Sequence, residues 1–162
     1  MKSIYLASPL GFAESTRAYM DNLAARLGQV VTVLNPWDDK RFAADIERAP
    51  TIVDPTERRA LLARINTGLG SKNTESIRAA DGMVAVLDGI DVDSGTAAEI
   101  GYAYGLGKRI YGLRTDFRLT GENEVSVVNL QVRYFIDESG GTLVTTADAL
   151  IPLLERWHAE VS

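Results

Sequence analysis

The sequence contains no cysteine, which excludes a disulfide framework, a cysteine-based zinc site and a thiol nucleophile. It has one histidine, His158, in the segment LLERWHAEVS, where it reads as the end of a solvated helix rather than a chemical centre. Clustered positive charge is missing as well. The chain has 17 Lys and Arg against 22 Asp and Glu, a net charge of −5, and the cations are scattered. The basic stripe of a nucleic-acid binder is therefore absent. No run approaches the roughly 18 apolar residues of a membrane span, and the apolar part of MKSIYLASPLGF is too short for a signal segment. These absences lead to an expectation of a cytoplasmic protein that meets neither membrane nor nucleic acid and acts on a small molecule.

Phosphate-cradling loops are absent too. SPLGF follows the first strand in place of GxGxxG, GLGSKN at 68–73 follows a helix, and GYAYGLGKR lacks the P-loop spacing. Asp88, Asp91 and Asp93 crowd one loop, but an EF-hand counted from Asp88 needs glycine at its sixth position, where Asp93 stands. A solvated loop fits these residues better than a calcium or magnesium site, so no metal is expected.

What remains is an ordinary globular composition, 46% hydrophobic and 24% charged over 162 residues, which fits a single domain spanning 1–162. Short apolar runs at 3–7, 30–34, 83–87 and 109–113 read as buried strands, with a weak fifth at 142–144. Helices are expected at 14–27, at 55–65 as a charged helix, from a Ser71 cap to Ala80, from Ser94 or Thr96 onward, near 125–135, and from Ala147. Residues 37–70 carry the weakest signal and read as a variable insert or lid. Strands alternating with helices at this spacing predict an α/β fold, a doubly wound parallel sheet of five strands with helices on both faces.

Ligands of such sheets bind at the carboxyl ends of the strands, around the switch in strand order. Residues 7–12, 88–96 and 114–118 fall at that edge and are expected to share one pocket. Ser8, Gly11, Phe12 and Asp88 are substrate-binding candidates on this ground. Phe12 and Trp37 offer flat apolar faces for a base, although core packing accounts for either equally well.

The most unusual residue is Glu99, a lone carboxylate among Ala97, Ala98, Ile100, Gly101 and Ala103. A buried carboxylate costs several kcal/mol unless it is paired or used. Asp93 just before the helix and Glu99 about one turn inside can both face the crevice, and Tyr5 on the adjacent first strand could hold Glu99 ionised and aimed. The alternative is structural: Glu99 caps neighbouring backbone or pairs with an arginine across an interface.

IYLASPLGF, AADGMVAVLDG, DSGTAAEIGYAYGLGK and NLQ at 129–131 together resemble the nucleoside 2-deoxyribosyltransferase family. The resemblance extends from Ile4 to about Val132, and the D-x-G-T-x-x-E-x-G-x-A segment is its specific part. It implies a flavodoxin-like five-stranded fold and exchange of purine or pyrimidine bases between 2′-deoxynucleosides by double displacement, without a cofactor. It further implies Glu99 as nucleophile at C1′ and Tyr5 as its orienter, with Asp93 on the sugar 5′-hydroxyl. Asn129 would reach into a neighbour's site, which makes the protein a homo-oligomer with shared pockets.

One position departs from the family pattern. Members often carry an aspartate eight residues before the Asp-Gly opening the third strand, thought to help protonate the leaving base, and counting back from Asp81 gives Asn73. Asn73 can hydrogen-bond a base but cannot deliver a proton, so the identity of the acid stays open. Two other functions share the residues. A 2′-deoxynucleoside 5′-phosphate N-hydrolase is disfavoured by Asp93, which would repel a phosphate, and favoured by Arg114 and Arg118 near the same edge. A non-catalytic nucleoside or nucleotide binder would use Glu99 only to hydrogen-bond the sugar.

Overall fold

Strands as uniformly apolar as these are stable only when covered on both faces, and that is how the chain folds. The computed structural model describes residues 1–160. Its parallel strands are β1 (Ser3–Ala7), β2 (Thr32–Leu34), β3 (Gly82–Val86), β4 (Arg109–Leu113) and β5 (Leu143–Val144), in the order β2-β1-β3-β4-β5. This is the flavodoxin-like order, and the direction of winding reverses between β1 and β3. The helices are α1 (Glu14–Leu27), α2 (Ala43–Arg48), α3 (Pro55–Ala79), α4 (Ser94–Gly105), α5 (Leu130–Glu138) and α6 (Ala147–Ala159). None of them is long and apolar enough to cross a membrane.

Side-chain alternation along the strands divides the core into two layers. Ile4, Leu6, Val84, Val86 and Leu113 pack against Met20, Leu23 and Leu27 of α1 and Leu150, Leu154 and Trp157 of α6. Tyr5, Ala7, Met83, Ala85 and Ile110 face the other way, onto Ile77 of α3, Ile100 and Ala103 of α4, and Val132 and Ile136 of α5. The parity of β1 therefore points Tyr5 at the layer that carries α4. Tyr5 and Met83 are neighbours in the β1–β3 register, directly beneath the switch in strand order.

The segment 55–80 differs from expectation. In place of two helices with a break, it forms one helix of 25 residues, and Ser71 lies inside it, donating to Glu75 instead of capping. The cap is Asp54, whose Oδ1 accepts from the amides of Thr56 and Glu57 at 2.8 Å each, with Pro55 in the first turn. Gly68 and Gly70 each weaken a helix by about 1 kcal/mol relative to alanine. At Gly68 a tertiary contact explains the glycine, because a Cβ there would lie 2.2 Å from Cζ of Phe42. Phe42, Ile52 and Leu69 close a small cluster over Ala49, Leu61 and Ile65, so part of the expected insert is packed structure. α5 also starts later than expected, at Leu130, where Asn129 accepts from the amides of Gln131 and Val132.

Candidate active site

Asp93 ends the loop after β3 and starts α4, accepting at Oδ2 from the amide of Thr96 at 2.9 Å and from its hydroxyl at 3.2 Å. That cap fixes the first turn, and the next turn presents Glu99 to the crevice. There the Tyr5 hydroxyl donates to Glu99 Oε1 at 2.7 Å, and the Asn73 amide donates to the same oxygen at 3.3 Å. The second oxygen, Oε2, has no protein donor among the described residues, nor is it a buried orphan, so it lies open to the pocket.

Burial raises the Glu99 carboxyl above its ordinary value, the Tyr5 hydrogen bond opposes this, the negative charge of Asp93 adds to it, and Asn73 lowers it again. Tyr5 is fully buried, and its phenol is pushed well above its usual range by burial, then by the Glu99 charge and hydrogen bond. It stays protonated, as a donor to a carboxylate must.

The pocket holds about 270 Å³. Its polar side is Asn73, Asp93, Thr96 and Glu99, and Ser8 and Gly95 complete the rim. Phe12, Pro36, Trp37 and Leu69 form the apolar side. Trp37 is anchored by its indole N–H, which donates to the Ser8 carbonyl at 2.9 Å, and it meets Phe12 edge to face with centroids 4.7 Å apart. Aromatic and apolar side chains thus share one pocket with two carboxylates, which suits a ligand with a planar ring at one end and a polar reacting centre at the other.

The crevice is smaller than residues 7–12, 88–96 and 114–118 taken together. Ser8 and Phe12 line it, but Gly11 opens onto a neighbouring depression with Arg17, Asp21 and Lys40. Gly11 acts from beneath: a Cβ there would lie 2.1 Å from Cδ2 of Trp37, so only glycine lets the indole sit where it does. Asp88 lies outside. Its carboxylate accepts from the Thr115 hydroxyl at 2.7 Å and the Asp116 amide at 2.9 Å, tying the end of β3 to the loop after β4. Asp91 is likewise spent on the Val92 amide, and among the described residues no group of three or more His, Asp or Glu is placed to hold a metal ion.

Arg114 and Arg118 are placed elsewhere too. Arg114 is 1% exposed and donates to the carbonyls of Leu87, Gly89 and Arg118, so it staples two loops and does not line this pocket. Arg118 is paired with Asp116. Asn129 caps α5 and donates to Glu122 at 2.7 Å, away from this pocket. His158 accepts from the Lys2 amide, and Asp81 accepts from the amide and hydroxyl of Ser3 at the opposite end of the sheet.

Pocket residues not anticipated are Pro36 and Leu69, whereas Gly95 and Thr96 belong to the expected segment 88–96. Leu69 stands one turn before Asn73 and would follow from reading 55–79 as one helix.

The family model described as Nucleoside 2-deoxyribosyltransferase matches residues 4–131, a span that takes in Tyr5, Asn73, Asp93, Glu99 and Asn129. The chain belongs to the nucleoside 2-deoxyribosyltransferase family. Among solved structures it is similar to the 2-desoxiribosyltransferase from Leishmania mexicana at 25% identity and a TM-score of 0.64, covering 98% of this chain and 99% of that one. A conserved protein from Enterococcus faecalis shares the fold at 24% identity and a TM-score of 0.67, over 97% of this chain and 99% of that one. The 2-deoxyribosyltransferase from Bacillus psychrosaccharolyticus shares it at 22% identity and a TM-score of 0.60, over 92% and 90%. No curated protein sequence gives a significant match.

Proposed function

We propose that the chain transfers the 2-deoxyribosyl group between nucleobases by a retaining double displacement on Glu99. The observation that supports this most is the asymmetry of that carboxylate, with Oε1 held by Tyr5 and Asn73 and Oε2 unheld in the pocket. Oε2 attacks C1′ of a 2′-deoxynucleoside, the C1′–N bond breaks, and its electron pair leaves with the base. The sugar is then an ester of Glu99. A nitrogen of the second base attacks C1′ from the face the first one left, the ester C–O bond breaks, and the Glu99 carboxylate is regenerated while the incoming nitrogen loses its proton. Two inversions restore the original configuration.

Asp93 binds the sugar hydroxyl by accepting with the capacity left over from its cap on α4, and Phe12 and Trp37 flank the base. Two carboxylates and no Lys or Arg line the described pocket, which favours a free nucleoside over a 5′-phosphate. On the same reading residues 1–162 act as a single cytoplasmic domain in nucleotide salvage, without metal or cofactor, in a homo-oligomer where Asn129 serves a neighbouring site. Chromatography of a 2′-deoxynucleoside incubated with and without a second free base, with Glu99→Ala as blank, tests the proposal. A new nucleoside is expected. Free base alone would replace transfer with hydrolysis, and no change in either mixture would overturn both in favour of a binding protein.

A further inference from the structure

One helix face holds an anomaly. Ile65, Leu69, Asn73 and Ile77 follow one another at four-residue spacing on α3, so they share a face. Ile65 and Ile77 are buried, Leu69 packs in the small cluster and lines the pocket, and Asn73 alone in the row is polar. An amide in an apolar row is costly unless its hydrogen bonds are met. Its partner is Glu99, and a carboxylate only accepts, so the amide nitrogen must be the end that faces it.

Resting on the deoxyribosyl-transfer reading for its kinetic part, we propose that Asn73 is a positioning residue for the nucleophile. With the Tyr5 hydroxyl it holds Glu99 Oε1, so that Oε2 alone meets the sugar, and it supplies no proton to the departing base. The two donors reach the same oxygen from different elements, Tyr5 from β1 at 2.7 Å and Asn73 from α3 at 3.3 Å. Two bonds from two directions fix the carboxylate plane, which one bond would leave free to swing. The charged group facing Glu99 is Asp93 at the start of α4; Tyr5 and Asn73 face it as neutral donors. Donation from Asn73 therefore opposes burial and the Asp93 charge, keeping the carboxylate ionised. The Asn73 carbonyl has no protein partner among the described residues and is left to accept from an N–H on a base.

The test is Asn73→Leu, which continues the apolar row on α3, with Asn73→Ala as a smaller second variant and Asn73→Gln as the conservative one. Carbon-13 NMR of carboxyl-labelled glutamate follows the titration of Glu99, its signal assigned with Glu99→Gln, and kcat/KM is measured against pH on the same proteins. In Asn73→Leu and Asn73→Ala the Glu99 titration is expected at higher pH than in the wild type. The acid limb of kcat/KM moves with it, and kcat falls by about three- to tenfold at neutral pH with little change in KM. Asn73→Gln recovers part of both shifts. An unmoved Glu99 titration in Asn73→Leu and Asn73→Ala would overturn the proposal, whether KM for the base rises or nothing changes. A moved titration in a protein that transfers no sugar would uphold the positioning and count against the transfer reading alone.

Discussion

Replacing Tyr5 with phenylalanine removes one oxygen from the centre of the molecule and leaves the packing in place. Tyr5 is fully buried between β1 and the helical layer that covers it, and phenylalanine keeps the ring, so no cavity larger than a hydroxyl opens. What is lost is the 2.7 Å bond to Glu99 Oε1, the shorter of its two donors. A hydrogen bond to an ionised group contributes about 1.5–3 kcal/mol, which corresponds to about a 10- to 150-fold loss in kcat/KM if it is fully expressed in the attacking carboxylate. The loss depends on pH in a definite direction. The Tyr5 bond opposes the burial and the Asp93 charge that raise the Glu99 carboxyl, so without it the carboxyl rises further and protonates at higher pH. Only the ionised form attacks. The acid limb of kcat/KM therefore moves up in Tyr5→Phe, and the deficit is larger near about pH 5.5 than near about pH 8. Initial rates of base exchange across that range measure both effects. A kcat/KM within about twofold of wild type, with an unmoved acid limb, would refute the assignment of Tyr5 as orienter.

Glu99→Gln abolishes transfer and raises the melting temperature at neutral pH. The folded carboxyl sits above its unfolded value, so the native state holds the proton more tightly. Stability then falls as pH rises from the ordinary glutamate range through the raised folded value, and glutamine avoids that cost. Thermal melts near about pH 4 and about pH 7 check the sign, since the advantage of glutamine must grow with pH. Asp93→Ala removes the cap of α4, costing about 1 kcal/mol. It also moves the acid limb of the rate profile to lower pH by relieving repulsion on Glu99, as kcat/KM against pH would show. Asp93→Ser retains a cap without charge and should gain activity on 2′-deoxynucleoside 5′-phosphates, and no gain would count against charge as the discriminator. Gly11→Ala drives a methyl into the Trp37 ring, costing about 1–3 kcal/mol, and shifts the tryptophan fluorescence as the indole leaves the pocket wall.

The central strands are legible in the sequence because burial on both faces leaves a short, uninterrupted apolar run between turn residues. The approach of Tyr5 to Glu99 was legible for a related reason: a phenol at an odd position of β1 and a carboxylate in an apolar helix both need a partner, and the topology puts them in one layer. Residues 55–79 were not, because Gly68 and Gly70 read locally as a break, whereas the reason for Gly68 is Phe42, 26 residues away in the chain. The places of Asp88 and Arg114 outside the pocket are not legible, because most of their partners are backbone amides and carbonyls, which no residue pattern reveals. In the sequence Asn73 stands out for the proton it cannot give. Its bond to Glu99 required the pitch of α3.

The account depends on a covalent bond between sugar and Glu99, and intact-protein mass spectrometry followed by peptide mapping tests this directly. Incubation with a 2-fluoro-2-deoxynucleoside, whose ester hydrolyses slowly, should add one fluorodeoxyribosyl group per chain. The added mass should map to the peptide carrying Glu99, and Glu99→Gln should take up none. An unmodified chain that nevertheless exchanges bases, or a label on any other residue, would contradict the double displacement.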